Sequence, residues 1–146
     1  MIRKVRTFLE LPWRQKKIFL MFCCLIPGME LSIRSFGLRR THRILERMGS
    51  RALRMEQEPE VVINRHKNLL DLFVKNFPFG GRCLAQSLSL WYLLKRLRVE
   101  TDLKFGTKRD DGEIRAHAWL EYQGTPIDSQ TEIYTSFPDS ILTKIS

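Results

Sequence analysis

The sequence predicts one α+β domain spanning residues 1–146, with helices first and an antiparallel sheet after them. Two observations predict the order: apolar residues recur at helical spacing up to about residue 98, and the period changes to alternation from about residue 101. A third sets the scale. A chain of 146 residues with 43% hydrophobic content can bury one core and is short for two.

Residues 1–57 form a basic N-terminal helical region. Residues 1–54 hold 13 Lys/Arg against 3 Asp/Glu, whereas residues 55–146 hold 12 against 13. From residue 11 to 57 there are few strand signals, and breaks at Pro27-Gly28 and near Gly49 divide the stretch into two or three short helices. The core, residues 58–146, opens at Glu58-Pro59-Glu60, where proline suits a first helical turn and acidic groups suit a helix N-terminus. Val62, His66, Leu69, Phe73 and Phe77 then share one helical face, which makes His66 a core or boundary histidine rather than a site residue.

Asn76-Phe77-Pro78-Phe79-Gly80-Gly81 ends that helix in a loop. Residues 83–98, CLAQSLSLWYLLKRLR, follow with Leu84, Leu88 and Trp91 on one face and Leu90, Leu94 and Leu97 on another, the pattern of a central buried helix. Thr101, Leu103 and Phe105 alternate with polar residues, Asp110-Asp111-Gly112 turns the chain, a second alternating run covers 115–122, and a shorter third follows Gly124. No internal repeat is visible.

The basic segment can meet an acidic partner, an anionic surface or nucleic acid. Nucleic acid is not expected, because the chain holds no zinc finger, RNP-type strand or recognition helix. Cys23 and Cys24 are neighbours and Cys83 stands alone, a usage that fits a reducing cytoplasm better than a disulfide framework. The uncharged run at 18–29, IFLMFCCLIPGM, is shorter than the ~18–20 apolar residues a bilayer requires. It reads as a buried helix, with neither a membrane span nor a membrane-surface contact expected.

The chemistry centres on Cys83. A helix N-terminus favours thiolate through its unpaired N–H groups, and the same groups can stabilise an oxyanion. Gly80 and Gly81 leave room for a substrate backbone to approach. In 115–122, Ala116, Ala118, Leu120 and Tyr122 face one side of a strand, and His117, Trp119 and Glu121 face the other, as a core and a lined cleft would. A two-residue loop at Gln123-Gly124 pairs Tyr122 with Thr125, Glu121 with Pro126, Leu120 with Ile127 and Trp119 with Asp128. Asp128 then lies on the His117 face, a diagonal neighbour roughly 7–8 Å away. An odd loop length would put it on the other face. Cys83, His117 and Asp128 together suit a thiol nucleophile, a base and its orienter. Metal binding by the three is not expected, since no Cys-x-x-Cys or His-x-x-x-His pair is present, and no cofactor follows from the residues.

Cys83-Leu84-x-x-Ser87-Leu88-x-Leu90-Trp91-x-Leu93-Leu94, Ala116-His117-Ala118-Trp119-Leu120-Glu121 and Gly124-x-x-x-Asp128 resemble the leader peptidases of lasso-peptide biosynthesis, the peptidase half of the B protein, within the transglutaminase-like group of papain-like folds. The resemblance implies a central helix starting at a catalytic Cys83 and packed on an antiparallel sheet, with His117 as general base and then acid and Asp128 as orienter. It also implies cleavage of a ribosomal precursor peptide between leader and core, a separate leader-recognition protein, and a lasso cyclase that receives the freed amine. The sequence departs from the family pattern at Gln86, where arginine is frequent, and at Arg98-Val99, where a glycine is frequent.

Two other readings share these residues. The same triad could pass an acyl group to an amine, as transglutaminases and arylamine acetyltransferases do. The chain could also be a non-enzymatic basic helical protein that binds a partner or a membrane.

Overall fold

A computed structural model describes residues 12–49, 58–77, 83–110, 113–128 and 135–136. Three helices, α1 (Trp13–Gly49), α2 (Pro59–Asn76) and α3 (Cys83–Arg96), precede four strands, β1 (Asp102–Asp110), β2 (Glu113–Tyr122), β3 (Thr125–Pro126) and β4 (Thr135–Ser136). The strands form one antiparallel sheet in the order β3-β2-β1-β4. This is the expected α+β architecture, three helices packed on a small sheet. β4 was not legible in the sequence; it pairs with β1 at Gly106 and Thr107.

The helix α3 is the centre of the molecule and touches α1, α2, β1 and β2. Both of its apolar stripes are used. Leu88 and Leu94 are fully buried, and Leu90, Trp91 and Leu93 join them in the same core cluster. From α2 the core receives Val62, Ile63, Leu69, Leu70 and Phe73. His66 is buried among them, its Nδ1–H donating to the Val62 carbonyl at 2.8 Å, and burial lowers its pKa. It is thus a neutral core histidine, as its place on the apolar face implies.

The N-terminal region corrects two expectations. The helix α1 runs straight through Pro27-Gly28 and changes direction at Gly37 instead, whose φ of 77° is left-handed. An interior proline costs ~3 kcal/mol, but Phe22, Ile26 and Met29 are buried on the turns around it, and each such side chain contributes about 1.5–3 kcal/mol. Burial wins. At Gly37 the freed backbone is held by side chains: Ser32 Oγ lies 3.0 Å from Thr41 Oγ1, and Thr41 Oγ1 donates to the Gly37 carbonyl at 2.9 Å. The apolar run at 18–29 is buried on one face only, because Phe19, Phe22, Ile26 and Met29 point inward while Leu20, Met21, Cys24 and Pro27 are exposed. By length and composition this helix could cross a membrane.

The exit of α3 explains the departure at Arg98. The Val99 N–H reaches the Leu94 carbonyl at 3.0 Å and the Arg98 N–H reaches the Lys95 carbonyl at 3.0 Å, the paired bonds of a Schellman cap. Such a cap places its penultimate residue in the left-handed region, and Arg98 has φ 60°. Glycine suits that position without a Cβ penalty. Relief of ~1–2 kcal/mol of left-handed strain, less the greater chain entropy of unfolded glycine, makes Arg98→Gly stabilising by about 0.5–1 kcal/mol. A thermal melt should show an increase of roughly 2–4 °C.

The long hairpin β1–β2 pairs Asp102 with Glu121 through to Asp110 with Glu113. Residues 111 and 112 of the expected Asp110-Asp111-Gly112 turn lie outside the described residues. The outer half of β2, Glu113 to Ala116, is exposed, whereas Ala118, Trp119 and Leu120 are buried. Ala116 is therefore not a core residue as alternation predicts; the hairpin projects past the helices there.

Candidate active site

Three elements deliver the three sequence-predicted residues to one cavity of about 450 Å³. Cys83 is the first residue of α3, His117 sits in the middle of β2, and Asp128 lies just beyond β3. All three are half-buried. Gly80 and Gly81, expected to flank the nucleophile, lie outside the described residues.

The β2–β3 hairpin has the register that a two-residue loop dictates. Tyr122 pairs with Thr125 and Glu121 with Pro126, and the Ile127 N–H continues the ladder to the Leu120 carbonyl at 2.9 Å. Gln123 and Gly124 both have positive φ, 52° and 78°, which matches the right-handed twist of the strands they join. After Ile127 the chain bends, leaving Asp128 next to His117. The imidazole pKa lies below the ordinary 6.5 because burial penalises its charged form, and the Asp128 carboxylate opposes that shift. At neutral pH the His117 imidazole is thus uncharged.

Sequence reasoning missed how the cysteine helix is locked to the histidine strand. On its β3 edge, β2 directs the Leu120 carbonyl to Ile127; two residues back, the Ala118 carbonyl points the same way, beyond the end of β3. Ser87 Oγ donates to it at 2.8 Å. Ser87 is one turn after Cys83 and lines the same cavity, so this bond ties the N-terminal turn of α3 to the residue adjoining His117. The hint was the polar residue breaking the apolar surface of α3, but its partner is 31 positions away.

Trp119 shares the cleft-facing side with His117, as expected, the two rings lying 6.1 Å apart and 19° from parallel. It is nevertheless buried, its Nε1–H donating to Glu121 Oε1 at 3.0 Å. Its six-membered ring crosses Gly106 so closely that a Cβ there would come within 2.7 Å of Trp119 and 2.6 Å of the Thr135 carbonyl. Glycine at 106 is what lets this ring lie flat on the sheet. Gln86, the other departure from the family pattern, also lines the cavity.

Residues 28–139, more than half of the chain, match the family model of the transglutaminase-like superfamily. The chain belongs to the transglutaminase-like superfamily. No curated protein and no solved structure matches it. The match begins inside α1 and takes in every element that follows, so the transglutaminase-like domain includes the second half of the basic helical region as well as the cavity. Membership in this superfamily points to cysteine peptidase or acyltransferase chemistry.

Proposed function

We propose that the protein is a cysteine peptidase that removes the leader from a ribosomally made lasso-peptide precursor in the cytoplasm, with Cys83 as nucleophile, His117 as general base and then acid, and Asp128 as orienter. The observation that carries the reading is the convergence of these three residues, from three separate elements, on one cavity. His117 takes the Cys83 proton as sulfur attacks the scissile carbonyl. The oxyanion that forms is stabilised by N–H groups of the first turn of α3, which have no partner within the helix. His117 then protonates the departing amine, the core peptide leaves, and an activated water releases the leader from the thioester. The freed α-amine is the group a separate cyclase joins to a side-chain carboxylate.

Product analysis tests the reaction type. Mass spectrometry of precursor incubated with the protein and an added primary amine should give the leader as a free carboxylic acid. A leader amide would show acyl transfer instead, the other chemistry of this superfamily.

The same proposal includes a leader-recognition protein that docks on the basic helix. Arg39, Arg40 and Arg43 are all exposed on the second arm of α1. That arm packs on the far half of α3, where His42 stacks on Trp91 at 4.5 Å and Glu46 meets Lys95 at 3.8 Å. Trp91 is eight residues beyond Cys83, about 12 Å along the helix. Cleavage by the isolated chain should be slow, rise on adding the recognition protein, and lose part of that gain at high salt, since exposed charges steer encounter and are screened. Reversing Arg39, Arg40 and Arg43 together should reduce the stimulation several-fold and leave the unstimulated rate as it was. Full-speed, leader-specific cleavage by the chain alone would rule this dependence out.

A further inference from the structure

The helix α2 carries two neighbouring stripes with different duties. Val62, His66, Leu69 and Phe73 enter the core. Lys67, Leu70, Asp71 and Val74, spaced i, i+3, i+4 and i+7, line the cavity that holds Cys83, His117 and Asp128.

The character of this wall is specific. Leu70 is joined at the cavity by Leu90 of α3 and Leu120 of β2, all three buried, while Ile127 is half-buried and Val74 is 37% exposed. The two ionic groups on the α2 side, Lys67 and Asp71, pair with each other. The exposed apolar surface of this wall therefore comes from Val74 and Ile127, backed by the buried leucines, and the paired Lys67 and Asp71 add no net charge. A charged substrate side chain would lose hydration against Val74 and Ile127 and find the ionic groups of α2 already paired, whereas an apolar one would gain by burial there. The cavity, about 450 Å³, is of the size that takes a small molecule or a short extended segment.

We propose that Leu70, Val74, Leu90 and Ile127 form a specificity subsite for one uncharged apolar side chain of an extended peptide, adjacent to the bond that Cys83 attacks. The proposal rests on the catalytic reading of Cys83 and His117 above. Val74 is the residue through which it can be changed, because its exposure at the mouth allows a substitution that leaves the core intact.

The test uses acetyl-dipeptide chloromethyl ketones that alkylate the thiol, carrying Leu, Ala or Lys in turn at each of the two residues, with iodoacetamide as a reagent that needs no subsite. In the unaltered protein, the Leu reagent should modify Cys83 at least tenfold faster than the Lys reagent at one of the two positions, with Ala between them, as a pocket that discriminates by methylenes requires. Val74→Glu should shift the Leu-to-Lys ratio at that position at least tenfold toward Lys and Val74→Ile should keep the original preference, each rate being divided by the same variant's iodoacetamide rate so that any change in thiol reactivity cancels. An unchanged Leu-to-Lys ratio in Val74→Glu would overturn the subsite and leave the catalytic reading standing. Alkylation of Cys83 that is slow with every reagent and indifferent to His117→Ala would overturn the catalytic reading and the subsite with it.

Discussion

Cys83→Ala is expected to abolish precursor cleavage, with a fall in turnover on the order of 10⁶, the size of loss that follows removal of a nucleophile acting as one unit with its base. The fold should survive the change. Cys83 is only half-buried at the first position of α3, and the helix is held by Leu88, Leu94 and the Ser87 bond to Ala118 rather than by the thiol. The other two thiols provide the control. Cys23 lies on α1, and burial, followed by the neighbouring Cys24, raises its pKa, which makes it a poor thiolate at neutral pH. Replacing Cys23 and Cys24 together by Ser should leave turnover within a few-fold. Quantitative cleavage assays on the two variants, with circular dichroism to verify folding, decide the matter: normal cleavage by Cys83→Ala removes the peptidase assignment.

Asp128→Asn should have the next largest effect, a fall in kcat of about 10²–10⁴ with little change in melting temperature. The substitution keeps the shape of a half-buried side chain and removes the charge that supports an imidazolium. The pH profile supplies a second, independent signature. In the folded protein the His117 pKa is depressed by burial below 6.5 and partly restored by Asp128. The base is lost as pH falls through that depressed value, so the acid limb of kcat/KM should lie below pH 6.5. Without the Asp128 carboxylate only the depressing influence remains, and the limb should move to still lower pH on a much lower plateau. A folded Asp128→Asn protein with undiminished kcat and an unmoved acid limb would take Asp128 out of the site.

The helix start at Cys83 and the hairpin geometry made the candidate site legible because both are local. Whether Asp128 shares a face with His117 depends on the length of one loop, and Gln123-Gly124 is short enough for its chemistry to set the register. The apolar girth of α3 likewise announced its central position, since a helix with two apolar stripes must be covered on both. The break in α1 was misplaced for the converse reason. Proline is a strong local signal, but the burial of Phe22, Ile26 and Met29 on the surrounding turns outweighs it, and the bend falls at Gly37, where Ser32 and Thr41 hold the backbone.

What the sequence determined by itself was therefore the α+β order, the central helix beginning at Cys83 and the register of the β2–β3 hairpin, each a consequence of periodicity or turn chemistry within about a dozen residues. Only the tertiary structure decided which face of α2 looks into the cavity, that Ser87 would fasten α3 to β2, that β4 would pair beside Gly106, and that Trp119 would lie across that glycine. Those contacts join segments tens of residues apart. No local propensity encodes them, because their partners become neighbours only when burial of the helix faces has brought the sheet and the helices together.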